Sequence, residues 1–280
     1  MYIFHKDTDL RQHLQQVRSE GKSIGFIPTM GALHEGHISL ISLAAQANTV
    51  TVCSIFVNPT QFNNAEDLAK YPRTTEQDID LLTRADCDVL YLPNVADVYP
   101  NGTTLATPYP LGYLDTILEG AYRPGHFQGV AQVVDRFLEI VQPDTLYLGR
   151  KDYQQCMVLK HIATLKHPAI NVAFSPTLRE PDGLAMSSRN RRLTEPQRAL
   201  AGVIYQCLIS IQGKREEGNF AIVKKECEEL LEKKGFRVDY VALADADTLE
   251  LLEEYAPNRK MVALIAAYIG NVRLIDNIEL

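Results

Sequence analysis

The sequence lacks any hydrophobic run long enough to cross a membrane. Its longest apolar run, Met261 to Ile269, has nine residues, whereas a transmembrane helix needs about 20. This run predicts a buried strand. The N-terminal segment MYIFHKDTDL is charged within its first six residues and has no signal-peptide core. We therefore expect a cytoplasmic protein with no membrane partner.

Positive charge and paired cysteines are also scarce. The formal net charge is −7, which argues against nucleic acid as a partner, because binding phosphates requires clustered lysine and arginine. The five cysteines are odd in number, scattered, and never spaced as C-x-x-C. This usage predicts reduced, mostly buried thiols in a cytoplasmic protein.

What is present is a chain of 280 residues with ordinary globular composition. Over the first part, runs that predict strands alternate with helical patterns. The predicted strands are 23–27, 49–57, 87–92, 144–148 and 170–175. Helices are predicted from a cap at Asp7 or Thr8, and at 36–47, 74–84, 127–141 and 152–165. The alternation predicts an α/β fold with a doubly wound parallel sheet.

The pattern changes after about residue 176. Two helices, 194–213 and 219–234, precede three strands, which we predict near 237–243, 261–269 and 272–277. This order predicts a small α+β second domain. Within the first part, the connection from Pro93 to Gly125 is long and proline-rich, which is typical of a functional or covering loop.

Polar segments follow the predicted strand ends. They are PTMGALHEGH (28–37), NPTQFN (58–63) and GRKDYQQ (149–155), and DGLAMSSRN (182–190) opens the second domain. Ligands of open parallel sheets bind outside the carboxyl ends of the strands. We therefore predict one large binding site.

The segment 28–37, called here the glycine–histidine turn, combines two glycines with two histidines. Gly31 and Gly36 have the spacing of a Walker A loop, but His37 and Ile38 stand where that loop has lysine and serine or threonine. Glycines let backbone N–H groups approach a ligand, and a helix N-terminus favours an anion. His34 and His37 would then bind phosphate. The alternative is a pair of helix-capping histidines. Zinc is disfavoured by the i, i+3 spacing.

The other polar segments fit parts of a nucleotide and a small polar ligand. Asn58 and Gln61 are neutral, directional groups that suit a ligand with hydroxyls, or else form a simple turn. Gln154 and Gln155 lie in the first turn of a predicted helix that Asp152 would begin. Lys151 and Asp152 offer a cation for phosphate and a carboxylate for ribose, or else an exposed ion pair.

Two further groups fit phosphate chemistry. Ser187, Ser188 and Arg189 offer two hydroxyls and a permanently charged guanidinium, which suit a polyphosphate. The charge run from Arg189 to Arg192 also fits a solvated surface. Asp78, in YPRTTEQD, fits either a water-mediated magnesium contact or an exposed helix face.

Together these segments resemble the pantoate–β-alanine ligase (pantothenate synthetase) family. HEGH is similar to the "HIGH" signature of the nucleotidyltransferase superfamily, and MSSRN resembles this family's counterpart of the "KMSKS" loop. The five segments PTMGALHEGH, FVNPTQFN, YPRT, GRKDYQQ and DGLAMSSRN occur in the family's order and spacing, from near residue 22 to the C-terminus.

The resemblance implies a Rossmann-like nucleotide- and pantoate-binding domain at 1–176, a smaller α+β C-terminal lid domain at 177–280, and a homodimer. It implies ATP-dependent condensation of pantoate with β-alanine through a pantoyl-adenylate, with Mg²⁺. The alternative enzyme is a nucleotidylyltransferase that keeps the nucleotide on its product. A non-enzymatic alternative is a nucleotide- or metal-binding module.

The resemblance also implies residue roles. The catalytic groups would be His34, His37, Lys151 and Arg189. Further ATP contacts would be Met30, Gly31, Ala32, Leu33, Glu35, Gly36, Gly149, Arg150, Asp152, Leu178, Met186, Ser187 and Ser188.

On the substrate side, Gln61 and Gln155 would bind pantoate, with Gln61 also bordering β-alanine and Asn58 supporting the pocket. Asp78 would reach magnesium through water. Two positions depart from the family pattern: Arg150 stands where a glutamate or a similar residue is expected, and Leu178 stands where valine or isoleucine is usual.

Overall fold

A computed structural model describes residues 1–215 and 219–280 of the protein. The chain divides into two compact units. Unit 1 comprises Met1–Arg150 and Gln154–Pro176, and unit 2 comprises Lys151–Tyr153 and Thr177–Leu280. The segment Lys151–Tyr153 thus groups with residues that follow it by more than twenty positions, which sequence order alone does not reveal.

Unit 1 contains a parallel sheet of six strands in the order β1-β4-β3-β2-β5-β6. The strands are β1 (Tyr2–Phe4), β2 (Ile24–Thr29), β3 (Val50–Ile55), β4 (Val89–Tyr91), β5 (Thr145–Gly149) and β6 (Asn171–Ser175). The predicted doubly wound parallel sheet is confirmed, with one edge strand more than expected. β1 escaped prediction because three residues are too few to establish a periodicity.

Helices accompany both faces of this sheet. They are α1 (Asp7–Ser19), α2 (Glu35–Ala47), α3 (Ala65–Ala69), α4 (Thr75–Arg84), α5 (Val95–Val98), α6 (Leu118–Tyr122), α7 (His126–Val141) and α8 (Tyr153–Lys166). Consecutive strand residues point to opposite faces, so Phe26 and Ile27 belong to different hydrophobic clusters. On the Phe26 face, Phe137 of α7 packs edge-on, with its ring centroid 6.0 Å from that of Phe26.

The N-terminal cap predicted for α1 is wrong. The helix begins after Lys6, and no side chain caps it. Asp7 instead lies in the first turn, where a negative charge is favoured by the helix dipole. Its Oδ2 atom lies 3.1 Å from Nη2 of Arg136.

The long connection before α7 is tied to the helices beneath it. The Tyr109 hydroxyl donates to Oδ2 of Asp135 at 2.7 Å, and His167 Nε2 lies 2.7 Å from the other carboxylate oxygen. Lys166 also bonds this carboxylate. Burial alone would raise the pKa of Asp135, but these hydrogen bonds outweigh it and hold the pKa below its ordinary value.

Unit 2 has an antiparallel sheet in the order β10-β9-β7-β8. Its strands are β7 (Phe236–Asp245), β8 (Leu251–Leu252), β9 (Met261–Ile269) and β10 (Val272–Glu279), and its helices are α9 (Glu195–Ala201), α10 (Val203–Gly213) and α11 (Phe220–Lys233). The predicted α+β class is confirmed. The single helix predicted at 194–213 is instead two helices that meet at Gly202, where a Cβ would lie only 2.9 Å from the Asp182 carbonyl oxygen.

Within residues 1–215 and 219–280, no helix combines the length and the apolarity needed to cross a bilayer.

Candidate active site

The glycine–histidine turn joins β2 to α2 through two left-handed residues. Gly31 has φ +78° and Ala32 has φ +49°. A Cβ at Gly31 would lie 3.0 Å from both Oδ2 of Asp78 and Cγ2 of Ile55. Both the dihedral angle and the lack of space therefore require glycine at position 31.

Asp78 of α4 holds this turn in place. Its carboxylate accepts from the backbone N–H of Ala32 at 2.9 Å and of Leu33 at 2.8 Å. The Thr74 hydroxyl donates to the same carboxylate at 3.1 Å, and Asp78 is only 1% exposed. The predicted alternative of an exposed helix face is wrong. The carboxylate holds the backbone of the turn in place, and the water-mediated magnesium contact that the resemblance implies stays a prediction.

The two histidines cap α2 reciprocally. Gly36 N donates to Nδ1 of His34 at 3.1 Å, and His34 N donates to Nδ1 of His37 at 3.3 Å. The ring centroids lie 4.1 Å apart. The structure thus confirms that the two histidines cap the helix. Because Nδ1 accepts in both neutral rings, each carries its proton on Nε2, and an Nε2–H group is a suitable donor to phosphate. Capping and phosphate binding are therefore compatible.

The remaining residues of the turn differ in exposure. Ala32 and Leu33 are buried, Met30 and Gly36 are partly buried, and Glu35 is exposed at the start of α2.

Gln61 lies beside the turn and is supported by Asn58. Asn58 is 1% exposed and Gln61 is 7% exposed. Nδ2 of Asn58 donates to Oε1 of Gln61 at 3.1 Å, while Nε2 of Gln61 donates to Sδ of Met30 at 3.0 Å. The Tyr99 hydroxyl donates to Oδ1 of Asn58 at 2.8 Å. The structure thus brings Met30, Asn58 and Gln61 together.

Gln61 has a second support, which was not predicted. His126 Nδ1 lies 2.8 Å from the Gln61 carbonyl oxygen, and Nη1 of Arg123 lies 3.0 Å from His126 Nε2. A guanidinium only donates, so Nε2 accepts and Nδ1 carries the proton that bonds Gln61. Glu119 Oε2 lies 3.7 Å from Arg123 Nη1. In the sequence, this contact is indicated by the segment EGAYRPGH (119–126), in which Glu119, Arg123 and His126 are spaced three or four residues apart.

The two glutamines at the start of α8 have different environments. Gln154 is 2% exposed, and its side chain donates to the carbonyls of Leu114 and Ile117 at 2.8 and 2.9 Å. It also accepts from Glu119 N at 2.9 Å. Gln155 is partly buried, as are Gly149 and Arg150 at the end of β5. The Gln154 side chain therefore holds the long connection. Gln155 remains the candidate for ligand binding.

In unit 2, Lys151 and Asp152 form an ion pair, which was the alternative prediction for these two residues. Lys151 Nζ lies 3.2 Å from Asp152 Oδ1, with side chains 19% and 46% exposed. The Lys151 carbonyl accepts from Nδ2 of Asn277 at 2.9 Å.

Also in unit 2, residues 178–186 form a short hairpin that leads into the MSSRN segment. Met186 N donates to the Leu178 carbonyl at 3.0 Å, and Leu178 is 40% exposed. The Ser187 hydroxyl accepts from Arg189 N at 3.3 Å and caps a 3₁₀ turn at Ser188–Arg192. Ser188 is buried, while Met186, Ser187 and Arg189 are partly buried.

Across the two described ranges, no group of three or more histidine, cysteine, aspartate or glutamate side chains is arranged to hold a metal ion.

Comparison with known proteins places this arrangement in one family. The family model described as pantoate-beta-alanine ligase matches residues 2–279. The pantothenate synthetase of Cytophaga hutchinsonii is 46% identical over 272 residues, which cover 96% of this chain and 95% of the relative. The pantothenate synthetase of Pseudomonas fluorescens is 45% identical over 274 residues, with 97% and 95% covered.

Solved structures indicate the same family. The crystal structure of pantothenate synthetase from Thermus thermophilus matches with a TM-score of 0.91 at 38% identity and covers 99% of each chain. The pantoate-beta-alanine ligase from Francisella tularensis, complexed with beta-gamma ATP and beta-alanine, matches with a TM-score of 0.85 at 38% identity, covering 99% of this chain and 97% of that one. The chain belongs to the pantoate–β-alanine ligase family.

Proposed function

We propose that the protein condenses pantoate with β-alanine to form pantothenate, at the expense of ATP and through a pantoyl-adenylate. The observation that carries this proposal is the 3.0 Å contact between Nε2 of Gln61 and Sδ of Met30. Adenylate formation requires the pantoate carboxylate to reach the α-phosphorus of ATP. The contact joins a residue proposed to bind pantoate to the turn proposed to bind ATP.

The first step is an attack of the pantoate carboxylate on the α-phosphorus, with pyrophosphate leaving. The protein's task is positioning and charge stabilisation. We assign His34 and His37 to the phosphates, together with Lys151 and Arg189. The remaining ATP contacts are assigned to Met30, Gly31, Ala32, Leu33, Glu35, Gly36, Gly149, Arg150, Asp152, Leu178, Met186, Ser187 and Ser188.

The second step is an attack of the β-alanine amine on the acyl carbon, with AMP leaving. The amine must be unprotonated, and water must be excluded from the mixed anhydride. Gln61 and Gln155 are assigned to pantoate, with Gln61 bordering β-alanine. The support of Gln61 by Asn58 fits this assignment, because a fixed amide can bind a hydroxyl in one orientation.

Magnesium is proposed to enter with ATP. Mg²⁺ usually keeps several waters and is held largely by substrate phosphates. This agrees with the described residues, among which no metal-binding cluster of acidic or histidine side chains occurs. When bound, the ion would neutralise phosphate charge beside the protein's own donors.

The proposal is tested by measuring AMP release with purified protein. Release should require both pantoate and β-alanine. With ATP and pantoate alone, about one equivalent of pyrophosphate per active site should form, because one enzyme-bound adenylate accumulates. A nucleotide-linked product without free AMP would instead indicate a nucleotidylyltransferase.

A homodimer in the cytoplasm is part of the same proposal and rests on the resemblance. Light scattering should then give twice the chain mass of 31.4 kDa.

A further inference from the structure

Two segments of unit 2 that we assign to the nucleotide are attached to the same dipeptide of β10, Asp276–Asn277. Nδ2 of Asn277 donates to the Lys151 carbonyl at 2.9 Å. Arg179 donates to the Asp276 carboxylate through Nη1 at 2.5 Å and Nη2 at 3.0 Å. Arg179 follows Leu178, so one dipeptide contacts both the Lys151 segment and the hairpin that leads to Ser187.

Arg179 is held from several directions. Its Nη2 donates to the Asn277 carbonyl at 3.0 Å, and its Nη1 donates to the Gly183 carbonyl at 3.0 Å. Its guanidinium carbon lies 4.1 Å from the centre of the Tyr205 ring. The side chain is 17% exposed, and that of Asp276 is 4% exposed. Such a planar, forked and stacked contact is one that lysine cannot reproduce.

The dipeptide is itself fixed. Asn277 N donates to Oδ1 of Asp276 at 2.8 Å, so the carboxylate that accepts from Arg179 also orients the backbone that carries the Asn277 side chain. Substituting Arg179 should therefore displace the Lys151 segment, and substituting Asn277 should displace the hairpin.

We propose that Arg179, Asp276 and Asn277 are positioning residues that set the Lys151 segment and the 178–186 hairpin for nucleotide binding. This inference rests on the proposed function. The three residues would act through the backbones they hold. They hold the carbonyl of Lys151 and the hairpin whose Met186 N–H bonds Leu178, so their loss should displace the adjoining ATP-binding groups.

The test compares Asn277→Ala and Arg179→Lys with the control Arg237→Lys. Arg237 also stacks on a tyrosine of unit 2, at 4.1 Å from the Tyr268 ring centre, and lies 3.4 Å from a carboxylate oxygen of Asp239. It has no role in the proposed site. Each test variant should lose about 10–100-fold in kcat/KM for ATP, because small displacements of binding groups cost that much. The control should resemble wild type.

A purely structural role predicts a different result, with Tm lowered and the KM values for ATP and pantoate changed alike. We expect the KM for ATP to rise and the KM for pantoate to stay near wild type. The double variant should fall short of the product of the single effects, because both residues belong to one hydrogen-bonded cluster. Wild-type kinetics for ATP in Asn277→Ala and in Arg179→Lys would overturn the inference.

Equilibrium binding of ATP separates this inference from the proposed function. If wild-type protein binds ATP but releases no AMP with pantoate and β-alanine, the proposed function fails. Weaker ATP binding by both variants would still support the positioning role, whereas unchanged binding would overturn it. A wild-type protein that binds no ATP would overturn both.

Discussion

At the scale of the residue, His34 and His37 each combine a structural and a proposed chemical task. Nδ1 of each ring accepts a backbone N–H at the start of α2, which leaves the neutral ring with its proton on Nε2. The capping bonds thereby select the tautomer that can donate to phosphate. Substituting either histidine should affect stability and chemistry, but by different amounts.

We predict that His37→Ala slows adenylate formation about 10²–10³-fold, the usual effect of removing one preorganised donor. The free energy of unfolding should fall by only about 1 kcal/mol, from the lost cap. Single-turnover kinetics and denaturant unfolding measure the two effects. His34→Ala should behave similarly, and the pair should be non-additive. The control is His161→Ala, on the exposed side of α8. Wild-type adenylation by His37→Ala would remove the pair from the mechanism.

A second prediction concerns Asp78. Asp78→Asn replaces one acceptor oxygen with a donor that faces the N–H of Ala32 or Leu33, so we expect a loss of about 1–3 kcal/mol in unfolding free energy and a higher KM for ATP. The magnesium concentration for half-maximal activity should not change. Asp80→Asn, on the same helix but exposed, is the control. A shifted magnesium requirement with normal stability would instead support the magnesium contact that the resemblance implies.

Chain separation explains which residue contacts could be predicted. The capping histidines, His34 and His37, are three residues apart, and capping was predicted for them as an alternative. The Asp78 contacts to the turn span 46 and 45 residues, and the contact between His126 and Gln61 spans 65. Periodicity and motif spacing describe near neighbours only. The exposed position that was one alternative for Asp78 was therefore wrong, and His126 was given no role.

At the scale of the element, Asp135 ties the long connection to α7 and α8. Because the folded pKa of Asp135 is lowered, its ionised form stabilises the fold above the unfolded pKa of about 3.9, and this contribution is lost as pH falls through the folded pKa.

We predict that Asp135→Asn lowers the free energy of unfolding at pH 7 by about 1–3 kcal/mol, because a buried acceptor is replaced. The difference from wild type should shrink below about pH 4. Denaturant unfolding across pH measures both. Glu139→Gln on the same helix is the control, since its pair with Arg136 is half exposed and should contribute little. A difference that persisted unchanged at low pH would contradict the assignment.

Strong periodicity identified most elements, whereas close packing and short length account for the elements that were missed. Strands β2 to β6 and helices α2, α4, α7 and α8 lie where the apolar patterns predicted them, with each end within two residues of its predicted position. The break between α9 and α10 was missed because it depends on close packing of Gly202 against Asp182. The short helices α5 and α6 lie in the connection and carry too few apolar residues for a pattern.

At the scale of the whole molecule, the five cysteines are all free and buried, which confirms the predicted burial of these thiols. Burial raises the pKa of Cys87 to about 11, and it also raises that of Cys53. Reactive cysteines need an accessible thiolate.

We therefore predict that the native protein reacts slowly with a thiol-specific disulfide reagent at pH 7, and that five thiols per chain react in denaturant. Absorbance of the released chromophore measures both. Prompt modification of even one thiol in the native protein would contradict the burial of all five.

The bond from Asn277 to the Lys151 carbonyl joins residues 126 positions apart. On the ribosome, the Lys151 segment emerges long before Asn277. A nascent chain therefore contains the β strands of unit 1, and the whole glycine–histidine turn, well before the support of Lys151 exists. If Asn277 sets that segment, a chain that stops short of residue 277 would bind ATP poorly despite retaining every motif, and nucleotide affinity would report whether β10 is in place.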